Sequence, residues 1–200
     1  MGVGNEPVSG KLMDCGATGT LQGGAAIYEA DIVLTICKSV RGLLQDDFEV
    51  KLSREIGEHQ KLSEKTSMSN SWRADLFVSV HNNSYTSDAS GDEVLYKTAN
   101  GKIIANLINE EIKKQIPENR NRGLKKRDNL YVLNQSAAIA ALVECGFLST
   151  QADFLNDKNN LDRYALAIAN GIRAYYSMPE IKKKVKKLNW LEKFFKLFTK

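Results

Sequence analysis

Ala74 to Asn83 reads ADLFVSVHNN. Leu76, Val78 and Val80 alternate with Phe77 and Ser79, and the run is rich in β-branched and aromatic residues, which predicts a buried strand. It ends in His81, one of only two histidines in the chain, with Asn82, Asn83 and Ser84 directly after it. Open α/β sheets keep their ligand sites at the carboxyl ends of strands, and imidazole is the commonest metal ligand. A histidine in this position either caps a strand through a hydrogen bond or serves a site. The rest of the chain has to decide between the two.

Upstream, Ile32, Val33, Ile36, Cys37, Val40 and Leu43 form one face of a helix over Glu29–Leu44. Phe48–Leu52 reads as a strand, and Leu62–Trp72 as a helix leading into the central strand. Downstream, Glu93–Lys97 alternates as a strand does. Lys102–Ile116 is an amphipathic helix stopped by Pro117. Glu118–Asp128 reads as a polar, basic loop, Leu130–Leu133 as a short strand, and Ala138–Cys145 as an apolar run broken only by Glu144. Leu161–Tyr175 is a last amphipathic helix. Strands alternating with helices of this length imply βαβ units. The expected fold is a single α/β domain over residues 1–178, with a twisted, mostly parallel sheet and helices on both faces. A basic amphipathic helix over 179–200 follows it.

Composition agrees. At 200 residues, 42% hydrophobic and 26% charged, the chain is an ordinary globular domain. No apolar run reaches the 18 or so residues of a membrane span. The start, MGVGNEPVSG, has neither a basic region nor an apolar stretch, so no secretory signal is expected there. Cys15, Cys37 and Cys145 are too few and too widely spaced for a disulfide framework. The residues from Glu180 onward carry a net charge of +6 against +4 for the whole chain, which leaves the body at −2. The body therefore gives no electrostatic reason to expect nucleic acid.

Three features ask for chemistry. Gly16–Gly24, GATGTLQGG, is a glycine-rich loop. It lacks the lysine and hydroxyl pair of a phosphate cradle, and its spacing does not match a dinucleotide fingerprint. Glu29 sits in the first turn of its helix, where the dipole alone would favour a carboxylate. Glu144 ends the apolar run ALV at 141–143, and a carboxylate there is costly unless it is paired, bound to a metal or used in a reaction. Desolvation would raise its pKa into the range of a general acid or base. The structural alternatives are a helix cap or an ion pair with an arginine such as Arg122.

These pieces together resemble the zinc-dependent N-acetylmuramoyl-L-alanine amidases of phage endolysins, sporulation and cell separation. The motifs, in order, are Glu29 in YEADIVL, LSEKT at 62–66, VSVHNN at 78–83, NRGLKK at 121–126, LYVL at 130–133 and VECGFLS at 143–149. The likeness spans roughly residues 11–176. It implies that Glu29 and His81 ligate zinc, that Glu144 is the catalytic carboxylate, and that the bond cut joins the lactyl group of N-acetylmuramic acid to L-alanine in bacterial peptidoglycan. Asn82 and Arg122, inside two of the motifs, are the candidates for substrate contact. One position departs from the pattern. The first loop reads DCGATG, so Ala17 stands where the family has its first histidine ligand, and a methyl group binds no metal. His59 matches no family ligand. Cys15, two residues before Ala17, could offer a thiolate in an extended strand, but the loop has turned by Gly16.

Two other readings compete with an impaired amidase acting at the cell wall. One is a peptidoglycan-binding module on the same scaffold that does not cut. The other makes Cys145 a nucleophile with His81 as its base. The tail, with its aromatic stripe and lysine flank, is expected to seek an anionic membrane or wall polymer.

Overall fold

The computed structural model describes residues 15–55, 60–85 and 88–181. The expectations for His59 and for the basic tail therefore lie outside the described residues. The elements in chain order are β1 (Thr18–Thr20), β2 (Ala26–Tyr28), α1 (Glu29–Leu44), α2 (Leu62–Trp72), β3 (Leu76–Asn83), β4 (Asp92–Tyr96), α3 (Ala99–Gln115), β5 (Asn121–Lys126), α4 (Tyr131–Gln135), β6 (Ile139–Phe147), α5 (Ala152–Asn156) and α6 (Lys158–Tyr175). β1 and β2 form a small antiparallel hairpin, and the main sheet runs β3-β6-β4-β5. β3 pairs with β6 and β4 with β5 in parallel, while β4 and β6 run antiparallel. The result is a mixed α/β sheet with helices on both faces.

Side-chain alternation assigns the faces. Val80, Val143 and Val94 point toward α1, α3 and α6, where they join the main core. Ile32, Ile36 and Val40 of α1 recur every four residues, as do Ile104, Ile108 and Ile112 of α3, so each helix puts one apolar stripe into that core. Phe77, Leu142 and Leu95 point the other way, into a smaller cluster closed by Val132 and Leu133 of α4. The Asn70 amide of α2 bonds Gln135 O and Ala137 N–H on either side of the α4 end, which ties the two helices of that face together.

Two segments differ from the sequence expectation. Asn121–Lys126, read as a loop, is strand β5. Apart from Leu124, which packs against the main core, its residues are polar or glycine, and as a sheet edge it is held largely by the backbone ladder to β4. Leu130–Leu133, read as a strand, lies at the start of helix α4. Val132 and Leu133 are buried there, and so short an apolar run carries no period that separates helix from strand. Phe48–Leu52 forms no strand among the described residues.

α3 and α6 pack tightly at Gly171. A Cβ built there would lie 2.6 Å from Ile108 Cγ1 and 2.7 Å from Ile108 Cα. Gly171→Ala should therefore push two core helices apart and destabilise the fold by about 1–3 kcal/mol. Gly42, in α1, has open space around it. Gly42→Ala should stabilise by about 0.5–1 kcal/mol through helix propensity. Urea denaturation of the two variants should give shifts of opposite sign.

Candidate active site

The ladders place one polar side chain per strand in a row across the face that carries the smaller cluster. His81 of β3 pairs in register with Glu144 of β6. Glu144 pairs with Glu93 of β4. Arg122 of β5 then donates from Nε to Glu93 Oε2 at 2.9 Å. On the inner strands the same face is apolar one turn of the pleat away, at Leu142 of β6 and Leu95 of β4, and on β3 it is apolar two turns earlier, at Phe77, with Ser79 between. The period of two makes each strand half core and half site. At the usual strand spacing of about 4.8 Å the row spans roughly 14 Å.

Glu29 closes the β3 end of the row. Its Oε1 lies 2.7 Å from His81 Nδ1 and accepts from Asn82 N–H at 3.3 Å, while its Oε2 accepts from Ala17 N–H at 2.7 Å. The loop reaches it by a left-handed turn at Gly16, φ +69°, where a Cβ would sit 2.4 Å from Glu29 Oε2. Burial pushes the Glu29 carboxyl up, but the His81 hydrogen bond and charge and the two backbone N–H groups outweigh it, and the net shift is downward. His81 Nε2 lies 3.0 Å from Ser79 Oγ. The ring is thus held through both nitrogens, one against a carboxylate and the other against a hydroxyl.

Glu144 is the opposite case. Its Oε2 is buried with no hydrogen-bond partner among the described residues. Burial is the main reason its carboxyl is pushed up to about 7; the charges of Glu29 and Glu93 add to this and His81 opposes it. Arg122 pairs with Glu93 and not with Glu144, so the ion-pair explanation for Glu144 fails. Glu93, which sequence reasoning had left as an ordinary strand residue, is 4% exposed and stands between the two. Only its alternation with Val94 in a strand facing Glu144 could have singled it out. Cys145 is fully buried on the other face of β6, and burial raises its thiol well above the ordinary range, which removes it as a nucleophile. Asn82 is 3% exposed. Its side chain shares the core face of β3 with Val80, and neither amide atom has a partner among the described residues.

A second polar cluster lies behind the row. Asp92 is fully buried and accepts from Asn121 Nδ2 at 2.7 Å and from Asn119 Nδ2 at 3.0 Å. Burial pushes its carboxyl up to about 6 against those bonds. Gln151 Nε2 donates to Asn119 Oδ1, and Gln151 Oε1 takes the N–H groups of Gly91 and Phe147. These bonds lock the starts of β4 and β5 to the end of β6, and so hold Glu93 and Arg122 in line.

The site offers a zinc ion too few donors. Glu29 and His81 supply two donors, both engaged with each other, and Ala17 contributes only its backbone N–H. Cys15 lies before the Gly16 turn. Among the described residues no group of three or more His, Cys, Asp or Glu side chains converges to hold a metal. A catalytic zinc takes three protein ligands and an open position, and these residues do not fit one.

The comparisons agree on the family. A family profile described as N-acetylmuramoyl-L-alanine amidase matches residues 10–174. The uncharacterized protein YqiI of Bacillus subtilis is 32% identical over 182 residues, covering 86% of this chain and 87% of that one. The germination-specific N-acetylmuramoyl-L-alanine amidase of the same organism is 28% identical, covering 86% and 82%. Among solved structures, the catalytic domain of CwlV, an N-acetylmuramoyl-L-alanine amidase from Bacillus (Paenibacillus) polymyxa var. colistinus, superimposes with a TM-score of 0.76 at 27% identity, covering 83% of this chain and 93% of that one. The amidase AmiC2 of Nostoc punctiforme gives 0.75 at 32% identity, covering 82% and 91%. The chain belongs to the N-acetylmuramoyl-L-alanine amidase family.

Proposed function

We propose that this chain acts on bacterial peptidoglycan at the bond between N-acetylmuramic acid and L-alanine, and that Ala17 leaves it a poor hydrolase that engages the wall more than it cuts it. Enzymes of this family are generally zinc-dependent. The observation that carries the reading is Glu144: a buried carboxylate with one oxygen unpaired among the described residues, beside the Glu29–His81 pair. An unsatisfied buried acceptor is a standing penalty, and here it buys readiness to exchange a proton near neutral pH. In the reaction Glu144 would take a proton from water and pass it to the departing L-alanine nitrogen. Asn82 contributes through its backbone N–H, which holds Glu29, rather than through its buried amide.

Ala17 supports the second half of the reading. Its N–H keeps Glu29 in place, so the scaffold of the site survives while the donor is lost. Four ligands hold a structural zinc with about 10–16 kcal/mol, so one ligand is worth roughly 3–4 kcal/mol. Ala17→His should raise zinc affinity on the order of a hundred- to thousandfold and increase the release of new amino termini from purified wall. Metal analysis by mass spectrometry and an amine-release assay on both chains would check this. Stoichiometric zinc with strong activity in the chain carrying Ala17 would overturn it.

Glu144 also makes stability depend on pH. Its folded-state pKa, about 7, lies above the ordinary 4.5. The native state therefore holds this proton more tightly than the unfolded state does. The stabilisation is complete below about pH 4.5 and is lost as the pH rises through 7. Glu144→Gln cannot ionise. Its stability relative to the parent should improve between pH 5 and pH 8.5 by on the order of 2–3 kcal/mol, measured by urea denaturation at each pH. A constant difference across that range would show that Glu144 does not titrate there.

A further inference from the structure

We propose that Arg122 is the peptide-side anchor of the site: its terminal guanidinium nitrogens bind the free α-carboxylate of the second residue of the stem peptide, so the chain favours acidic stems over amidated ones. This rests on the peptidoglycan reading and adds to it which end of the row the peptide occupies and which group it is read by.

The first support is how the guanidinium is held. Nε is engaged by Glu93, which is 4% exposed, and Cζ lies 4.9 Å from the centroid of the Phe147 ring. An edge contact and a face contact together fix the plane of the group. The terminal nitrogens have no hydrogen-bond partner among the described residues, and the side chain is 29% exposed. A fixed, outward fork of N–H donors matches a carboxylate in two-point geometry.

The backbone aims this group deliberately. The β4–β5 register shifts between Asp92 and Val94. Gly123 has φ +74°, and its N–H bonds the Asn121 side chain. A bulge of this kind re-aims the neighbouring side chain. Asn121, on the other side of Arg122, is pinned to Asp92 and to Asn109.

Charge then sets direction. The β3 end of the row is closed by the Glu29 carboxylate, while the guanidinium of the row stands at the β5 end with its terminal nitrogens turned outward, so an anionic group is better placed there. The glycan side of the junction is uncharged once its lactyl carboxyl is in the amide. The peptide side carries carboxylates. The second residue of the stem is joined onward through its side-chain carboxyl, which leaves its α-carboxyl as a branch, either free or amidated. Two extended residues span roughly 7 Å, and Arg122 lies two strand spacings from Glu144, about 10 Å backbone to backbone. The side chains of Glu144 and Arg122 close the difference. A peptide whose scissile nitrogen lies at Glu144 therefore brings that branch to the fork.

The test uses the full chain, Arg122→Gln and Arg122→Lys. Two synthetic N-acetylmuramoyl tripeptides serve as probes, identical except that the second residue carries either a free α-carboxyl or its carboxamide. Titration calorimetry should show the free acid binding about tenfold or more tighter than the amide to the parent chain. Arg122→Gln should remove the difference, so that the acid and the amide bind alike. Arg122→Lys keeps a charge beside Glu93 but loses the fork, and should lose most of the preference while melting with the parent chain. Equal affinity of the parent for both stems, or an acid preference that survives both substitutions, overturns the anchor and leaves the peptidoglycan reading standing. No binding of either stem overturns both.

Discussion

The carboxylate of Glu29 is the constraint on which the site depends. It is buried at the head of α1 and meets His81 and Asn82 of β3 and Ala17 of the first loop, two pieces of chain separate from its own helix. A carboxylate out of water has to find donors, and the donors available are a ring nitrogen at the end of β3 and backbone N–H groups on either side. Satisfying that one group fixes the loop, the start of the helix and the end of the edge strand β3 relative to one another. Gly16 is part of the same constraint, because a side chain there would overlap the carboxylate oxygen.

From that corner the site extends as a row along the sheet, one polar side chain per strand, and the strands divide the work by environment. Glu29 and His81 stabilise each other. Glu144 is left without a partner for one oxygen and holds its proton to about pH 7. Glu93 and Arg122 neutralise each other at the far end. Carboxylates in neighbouring positions thus sit in different environments: one is surrounded by donors, one lacks a donor for one oxygen among the described residues, and one has a guanidinium. The Asp92 cluster behind them keeps the starts of β4 and β5 aligned, at the expense of a buried carboxyl raised to about 6.

Ala17 separates scaffold from chemistry. The interaction that organises this position is made by its backbone N–H, which any residue but proline supplies. The interaction that a metal would need belongs to the side chain, which here is a methyl group. The same position can therefore hold the fold intact and leave the reaction short of a ligand.

The local pattern of residues was enough for α1, β3, α3, β6 and α6, because each buries an apolar stripe, an alternating face or a continuous apolar run, and burial leaves that trace in the sequence. The ordered motifs were enough to mark Glu29, His81 and Glu144 and the departure at Ala17. β5 left no such trace: as a sheet edge it is held by backbone hydrogen bonds, which any residue but proline donates. α4 was too short for its period to declare itself. Glu93 and the partner of Arg122 depended on strand order. Glu144 meets Glu93, and Arg122 is drawn to Glu93 instead, only because β4 inserts between β6 and β5. The turn that sends the Asn82 amide into the core while its N–H faces Glu29 is likewise a matter of pleat and bulge. Local sequence encodes which side chains must be buried. Which strands become neighbours, and so which charges meet, is settled by how the helices pack on the sheet.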